Sequence, residues 1–491
     1  MLKKTEVLII GGGVVGTSIA RELSKYKLDI LLVEKEADVC TGTSKANTAL
    51  IHAGFNADSH KLKGKLNVRG NQLFREKVQK ELDVPIEWIG ALVVAQNKED
   101  LSTLKLLLKN AKKNGVLGLE IIKGDRLFEM EPELNKESIA ALYAPTAGIV
   151  NPFELTIAQA NNAVKNGVEL WLEAEVLDIE DKGEVKVVNT TKGDIESKLI
   201  INAAGLYADN VARMVGIDDF KITPRRGEYY LYDKSLDIKV NHTIFPVPTK
   251  VTKGVVVTPT DEKNLLIGPT ADEIEDKDDL INTQQGLDQV MIGAQKTIPK
   301  LSRRGVIKEF SGLRPAIKET GDFLIEASDK VKGFINVSGI QSPGLASSPA
   351  IAEMVAGIVE EEMDLLTLDP EFDPYYSGPP KFRHMSHEDQ AKLVEHNPNY
   401  GQIICRCESV SKGEIIDAIR EPVGARTVNA VKRRVRPGAG RCQGGFCGPK
   451  VVEILSEELG LSKTEIKLEK DGSEILVGKV KGLSREVSAS E

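Results

Sequence analysis

Four cysteines near the end of the chain are the residues whose types and spacing most plainly could do chemistry. Cys405 and Cys407 are separated by one residue and Cys442 and Cys447 by four, in the context Gly440-Arg-Cys-Gln-Gly-Gly-Phe-Cys-Gly448. Two close pairs of thiolates suit either a 2Fe-2S cluster or tetrahedral zinc, and spacing alone does not separate them. The fifth cysteine, Cys40, stands far from the others. Five cysteines in 491 residues do not make a disulfide framework, and Cys40 reads as a small buried apolar residue.

A second constellation opens the chain. Gly11, Gly13 and Gly16, with Val15 between the last two, follow the apolar run Val7–Ile10 and precede a helical pattern through Ile19, Ala20 and Leu23. Glycines at this spacing allow a tight turn, close backbone approach to a pyrophosphate and close helix packing, with the phosphates at the positive helix end. A second apolar run, Ile30–Val33, ends on Glu34, whose carboxylate would accept both ribose hydroxyls. Glutamate argues against a 2′-phosphate, although Lys35 follows it. NAD and FAD share this fingerprint. No second one follows a strand, so no separate NAD site is expected.

These sites need elements to position them. Strand, glycine turn, helix and strand make one βαβ unit, hence a parallel sheet covered by helices. The stretches Lys61–Leu82 and Glu99–Asn114 read as surface helices, while Ile86–Ala95 and Arg225–Gly268 alternate like strands. The expected fold class is α/β: a Rossmann-like dinucleotide domain, an inserted α+β substrate domain and a small C-terminal module. The dinucleotide domain would comprise 1–84, 146–220 and 306–366, and the substrate domain 85–145 and 221–305. A proline-broken linker or arm would cover 367–399, the cysteine module 400–460 and an extension 461–491. Length agrees, at about 150 residues per domain. With 65 basic and 73 acidic residues, a net charge of −8 and 41% apolar content, the chain is neither disordered nor a general nucleic-acid binder. No run approaches the roughly 18 apolar residues of a membrane span.

Seven blocks in order carry a family resemblance. They are the glycine loop with Glu34, Gly42-Thr-Ser-Lys-Ala-Asn-Thr-Ala-Leu-Ile-His-Ala-Gly54, Ile201-Asn-Ala-Ala-Gly-Leu-Tyr-Ala-Asp209, Pro224-Arg-Arg-Gly-Glu-Tyr-Tyr230, Asn264-Leu-Leu-Ile-Gly-Pro-Thr270, Gly312-Leu-Arg-Pro315 and Gly339-Ile-Gln-Ser-Pro-Gly344. From Thr5 to about Glu360 the chain resembles FAD-dependent oxidoreductases of the D-amino-acid oxidase superfamily, in the branch of glycerol-3-phosphate dehydrogenases and L-2-hydroxyglutarate oxidases. The resemblance implies that Thr43, Ser44, Asn47 and Thr48 lie along FAD, that Val176 meets the adenine and that Ala204 and Gly205 close over the cofactor. It also places Gly339, Ile340, Gln341, Ser342, Gly344 and Leu345 at the flavin. A helix starting just after Gly344 would point partial positive charge there and favour the reduced, anionic flavin. Arg314 is the expected clamp for an anionic substrate end, and His52 the expected proton acceptor. Arg226, Tyr229, Lys253 and Thr258 are secondary pocket candidates.

The cysteine module resembles the bacterioferritin-associated-ferredoxin-like 2Fe-2S domain fused to similar flavoproteins, which implies that Cys405, Cys407, Cys442 and Cys447 hold the cluster. The whole then looks like the large subunit of anaerobic-type glycerol-3-phosphate dehydrogenases. Such an enzyme would oxidise glycerol 3-phosphate to dihydroxyacetone phosphate, with FAD passing electrons through the cluster to a partner subunit, itself an FAD/NAD-binding protein in one version. Rival substrates are L-2-hydroxyglutarate, other 2-hydroxy acids, proline and sarcosine; a rival of another class is a non-catalytic electron-transfer subunit. The expected location is cytoplasmic, reaching the membrane only through partners. Between Pro422 and Arg441, Arg426, Lys432, Arg433, Arg434, Arg436 and Arg441 occur with no acidic residue. This run reads as a solvated basic face, or as one that docks an acidic partner or raises the cluster's potential.

Overall fold

The computed structural model describes residues 2–248, 254–363 and 365–478, and elements are counted over those residues. The chain forms two compact units, Met1–Lys35 with Val39–Ser377, and Glu36–Asp38 with Gly378–Glu491.

In the first unit the opening apolar run becomes strand β1 (Lys3–Ile10), the glycines a turn, then helix α1 (Val14–Leu23) and strand β2 (Ile30–Val33). β1 is apolar on both faces because both are covered. Val7 and Ile9 pack with Ile19, Leu23, Ile351 and Val355, while Leu8 and Ile10 pack with Val211 and Ala212 on the other side. β1 lies parallel to β2 and to Gly193–Asn202, and the latter lies parallel to Phe334–Ser338. The eight-stranded sheet thus draws on three separated stretches of chain, giving the helix-covered α/β architecture that the glycine segment implies.

A nine-stranded sheet is the second layer system, largely antiparallel. Its longest pairing joins Ile222–Tyr232 to Val306–Ile317. The boundary expected at 306 therefore shifts: Val306–Ile317 belongs to this sheet, and the chain rejoins the eight-stranded sheet only at Leu324–Ala327 and Phe334–Ser338. A small three-stranded sheet joins Leu50–Ile51, Gly148–Val150 and Ile86–Glu87. The helix Leu62–Leu73 is only partly a surface helix. Leu66, Asn67, Gly70 and Asn71 are buried, and Gly70 lies so close to Gly344–Met363 that a Cβ would fall 2.0 Å from the Ala346 carbonyl oxygen.

The stretch expected as a linker is shared between the units. Residues up to Ser377 belong to the first, where Asn162 and Asn166 donate to the Asp373 carbonyl at 3.0 and 2.9 Å and Lys165 pairs with the Asp373 carboxylate at 2.6 Å. Beyond it, Ser386 caps a helix, His387–His396, by accepting from the Asp389 amide. In the second unit the helices Lys412–Arg420, Val428–Val435 and Gly448–Leu459 close over Ile415, Ile419, Val431, Val451 and Leu455. The supposed extension contributes here as well: Ile466 is buried, and the Val428 and Asn429 amides donate to the Lys467 and Leu468 carbonyls.

Much of the basic run is internal to this unit. Arg433 and Arg434 are buried around Asp38, itself 2% exposed, with guanidinium–carboxylate distances of 2.9 and 2.8 Å. Arg436 pairs with buried Glu408 at 3.0 Å, and Arg426 donates to the Ile419 carbonyl. The reading of the run as a solvated face fails for Arg433, Arg434 and Arg436, whose counter-charges come from distant parts of the sequence, while Arg426 and Arg441 are exposed. Burial alone would raise the Asp38 carboxyl, but the guanidiniums of Arg434 and Arg433 outweigh it and hold it below the ordinary 3.8. A depressed carboxyl contributes stability that is present above its unfolded value and lost as pH falls through the folded one. Asp38→Asn should cost about 3–5 kcal/mol, since it leaves two buried cations without their carboxylate. Calorimetric unfolding should show the wild-type second unit losing stability as pH falls below 3.8, and the variant destabilised already at neutral pH; equal wild-type and variant profiles would count against the assignment.

Candidate functional site

The glycine turn is built by contact. Gly11 has a φ of +112°, and a Cβ on it would lie 2.5 Å from the Ala203 carbonyl oxygen; at Gly16 a Cβ would come within 1.9 Å of the Gly11 oxygen. Only hydrogen atoms fit at these two positions. The Gly12 amide donates to the Glu34 carboxylate at 2.7 Å. The Ala174 amide donates to the Glu34 carbonyl, which brings the chain leading to half-buried Val176 beside the end of β2. Ala203 donates to the Ile10 carbonyl, setting Ala204 and Gly205 next to the turn. Lys35 turns away, its ammonium 3.9 Å from the Tyr207 ring centroid. Val15 is half-buried on the first turn of α1. This cradle of close-packed backbone, free of Cβ atoms and ending on a carboxylate, fits the pyrophosphate and ribose of FAD.

The loop Thr43–Thr48 ties this turn to the nine-stranded sheet. Ser44 Oγ accepts from the Val14 amide at 2.9 Å, and Thr43 Oγ1 donates to the Leu313 carbonyl at 2.6 Å. Asn47 stiffens the loop by donating to the Ser44 carbonyl and accepting from the Ala49 amide; Thr48 is half-buried beside it. A Cβ on Gly312 would lie 2.2 Å from the Ala46 carbonyl oxygen, so the sheet touches the loop through bare backbone.

His52 follows the short strand Leu50–Ile51. Asn67 and Asn71, one turn apart on the helix Leu62–Leu73, donate to the His52 carbonyl at 2.7 and 3.2 Å, and Asn71 also donates to the Thr146 carbonyl at 2.8 Å. The His52 Nε2 lies 3.4 Å from Ser342 Oγ. Sequence and structure thus bring His52 together with the segment Gly339–Leu345. There Gly344 donates to the Gln341 carbonyl, Gly339 and Ile340 pack beside Ile317 and Gly344 respectively, and the helix Gly344–Met363 begins.

Arg314 stands directly opposite Arg225 in the pairing of the two long strands. Its Nη2 donates to the Thr270 carbonyl at 2.5 Å, and the guanidinium lies over Gly227, where a Cβ would come within 3.2 Å of it. Burial, reinforced by the Arg225 charge, pushes Arg314 below its ordinary range. Two residues along, Tyr229 stacks on Phe310 with ring centroids 4.7 Å apart, and burial raises its phenol.

The secondary pocket candidates divide by strand periodicity. Tyr229 shares the Arg314 face. Arg226 must point to the other face, where it pairs with Asp279 at 2.8 Å and approaches buried Glu228 at 3.6 Å. Thr258 is fully buried and hydrogen-bonded to Thr243 at 2.9 Å, which removes it from a pocket wall. Lys253 lies outside the described residues. The residue that the sequence reading passed over is Arg225, and counting back by twos from Tyr229 would have found it. Asn67 and Asn71 left a fainter signal, two amides at helical spacing on a buried face.

In the second unit Cys407 Sγ lies 3.8 Å from both Cys405 Sγ and Cys442 Sγ. Cys405 is brought down to about 5 by the Cys447 thiol first, with help from the Gly438 and Glu408 amides. Cys442 is lowered by the backbone amides of Phe446 and Gly444. Burial raises Cys407 to about 11, and hydrogen bonding to Cys405 with burial raises Cys447 further. Converging thiols surrounded by backbone N–H donors fit an iron-sulfur cluster, whose bridging and ligand sulfurs accept such bonds. Cys40 is buried elsewhere, its thiol 3.6 Å from the Pro152 carbonyl.

Residues 6–358 match the family model described as FAD dependent oxidoreductase, and residues 403–457 that of the BFD-like [2Fe-2S] binding domain. A glycerol 3-phosphate dehydrogenase of Caloramator mitchellensis is 48% identical over 97% of this chain and 99% of its own. Subunit A1 of an anaerobic glycerol-3-phosphate dehydrogenase from Haloferax volcanii is 25% identical over 93% of this chain and 84% of its own. Among solved structures, dithionite-reduced L-alpha-glycerophosphate oxidase from Mycoplasma pneumoniae with FAD bound aligns with a TM-score of 0.74 at 32% identity, over 77% of this chain and all of that one. The cradle, the converging thiols and these two matches agree: the chain belongs to the FAD-dependent oxidoreductase family and carries a BFD-like [2Fe-2S] binding domain at its C-terminal end.

Proposed function

We propose that this chain is a glycerol-3-phosphate dehydrogenase, oxidising the secondary alcohol to dihydroxyacetone phosphate and delivering electrons to a separate partner subunit. The carrying observation is the 48% identity to a glycerol 3-phosphate dehydrogenase along nearly the whole of both chains, cluster domain included. The facing pair Arg314 and Arg225 supports it, because two guanidiniums suit a doubly charged phosphate. The subunit name of the Haloferax relative supports the partner.

When bound, FAD supplies the two-electron acceptor and the 2Fe-2S cluster a one-electron relay. The chain's own work is binding, orientation and proton handling. Gly11, Gly13, Gly16 and Glu34 hold the dinucleotide end of FAD, and Cys405, Cys407, Cys442 and Cys447 hold the cluster. Arg314, backed by Arg225, fixes the anionic end of the substrate, and the Thr270 carbonyl keeps the guanidinium in place. His52, held at its backbone by Asn67 and Asn71 and facing Ser342, takes the proton of the substrate hydroxyl at Nε2. The Tyr229–Phe310 stack packs on the face beside Arg314. The helix starting at Gly344 contributes partial positive charge at its N-terminus.

Four outcomes are expected. Anaerobic mixing with glycerol 3-phosphate should bleach the flavin absorbance faster than L-2-hydroxyglutarate, proline or sarcosine; faster bleaching by L-2-hydroxyglutarate would move the assignment to hydroxy acids. Gly16→Val should yield protein lacking FAD, read from the ratio of flavin to protein absorbance, because the side chain would collide with the Gly11 oxygen; stoichiometric flavin would contradict the cradle. Arg314→Ala should raise KM by about a hundredfold, as loss of a charge-assisted bidentate contact of about 3 kcal/mol would, with FAD retained. His52→Ala should instead lower the limiting bleaching rate by about a hundredfold or more. A swap of these two phenotypes would reverse the roles.

A further inference from the structure

The small sheet that carries His52 is tied together by two residues of the helix beside it. Its strands are Leu50–Ile51, Gly148–Val150 and Ile86–Glu87. His52 follows the first, Thr146 stands just before the second and Trp88 follows the third. Asn71, 2% exposed, donates to the His52 carbonyl at 3.2 Å and to the Thr146 carbonyl at 2.8 Å. One turn further along, Arg75 Nη2 donates to Asn71 Oδ1, and the guanidinium carbon lies over Trp88, 5.1 Å from the ring centroid. Arg75 and Asn71 together therefore contact residues flanking all three strands. Trp88 is itself fixed: its Nε1 donates to Gln79 Oε1 at 2.9 Å, and a Cβ on Gly148 would fall 2.8 Å from its ring.

Packing does not explain why an arginine stands here. The side chain is half-buried, and burial pushes it below its ordinary range. Among the described residues no carboxylate pairs with it, the adjacent Glu76 turning to Arg69 at 3.7 Å. An uncharged side chain would cover Trp88 without the cost of desolvating a cation. What a guanidinium adds is a set of donors with no acceptor. Facing it, the Asn71 amide presents its oxygen to Arg75 and its N–H groups to the two carbonyls, and a cation on that oxygen strengthens the N–H donors on the other side. The winding changes at the same place: Phe74–Val78 is a π-helical stretch between Leu62–Leu73 and Gln79–Glu81. Such insertions occur frequently at functional sites.

We infer that Arg75 is a positioning residue for the oxidation: it locks the amide of Asn71 and, through that amide, holds the His52 backbone where the imidazole meets the substrate hydroxyl. His52 Nε2 lies 3.4 Å from Ser342 Oγ, so a shift of the His52 backbone moves the ring relative to that segment. Reaction rates are sensitive to such displacement, about 1 Å being enough for about a hundredfold. The inference rests on the reading of His52 as the proton acceptor.

The test follows anaerobic flavin bleaching in the full-length holoenzyme. It uses whichever of glycerol 3-phosphate, L-2-hydroxyglutarate, proline and sarcosine bleaches the wild type fastest, so that it is independent of the substrate assignment. Arg75→Met keeps an unbranched stem over Trp88 and removes the cation. It should lower the limiting rate about tenfold, with the half-saturating substrate concentration and the flavin content at wild-type values. Arg75→Lys, which keeps a cationic donor for Asn71, should recover most of that loss. Asn71→Ala should also be slow, and adding Arg75→Met to it should slow it no further; Asn71→Ser takes its place in the cycle if Asn71→Ala does not fold. A wild-type limiting rate in Arg75→Met would overturn the proposal. So would an Arg75→Lys rate as low as that of Arg75→Met, losses that multiply in the double variant, or a loss of rate in proportion to lost flavin, which marks a structural role. His52→Ala measured alongside separates the two readings. If it bleaches at the wild-type rate, the proton-acceptor reading falls and the positioning role with it; if it is slow while Arg75→Met is not, the positioning role falls alone.

Discussion

The register between Ile222–Tyr232 and Val306–Ile317 is the constraint on which the first unit's chemistry depends. It sets Arg225 against Arg314, Gly227 against Gly312 and Tyr229 against Phe310, all on one face of the sheet. A slip by one residue would send the whole set to the opposite face, where Arg226 now lies among Asp279 and Glu228. The same register determines where the cofactor loop seats. Gly312 admits the Ala46 carbonyl and Leu313 offers its own carbonyl to Thr43, so the substrate face and the loop beside the dinucleotide cradle are fixed by adjacent residues of one strand. Rigid strands rather than a mobile loop therefore hold the candidate clamp, as a pre-organised site requires.

The second unit solves a different problem, which is to gather four sulfurs without repelling them apart. Burial raises Cys407, with the charge of neighbouring Cys405 adding to it, and hydrogen bonding to Cys405 together with burial raises Cys447. The compensation comes from backbone amides of Gly438, Glu408, Phe446 and Gly444, neutral donors that need no counter-ion. Arg433 and Arg436 are engaged by buried carboxylates, Asp38 and Glu408 respectively.

What was legible in the sequence was whatever is encoded by neighbours in the chain. The βαβ unit could be read because both β1 faces are apolar within four consecutive residues, and the thiol module because its ligands come in two close pairs. Arg314 and His52 were proposed as clamp and proton acceptor through motifs. What could not be read were relations between distant segments. The basic run looked solvated because its acids, Asp38, Glu408 and Glu469, lie outside it. Arg226 was named rather than Arg225 because which parity of the strand shares the Arg314 face is settled by a partner strand about ninety residues away. The boundary at 306 failed for the same reason: a strand's sequence states that it is a strand, and says little about which sheet it joins.

The facing arginines also bear on what the pocket is for. Like charges directly opposite in a sheet destabilise it, and Arg314 suffers burial in addition, enough to push its guanidinium below its ordinary range. Its hydrogen bonds go to the Thr270 and Arg225 carbonyls, which engage two of its five N–H donors and neutralise none of its charge. A structural role would be served more cheaply by an apolar residue of similar volume, as replacement of buried ion pairs elsewhere shows. Residues kept against their own local cost tend to be functional. Here the cost would be offset by an anionic substrate end held by Arg314, whose remaining N–H donors would then meet a negative charge.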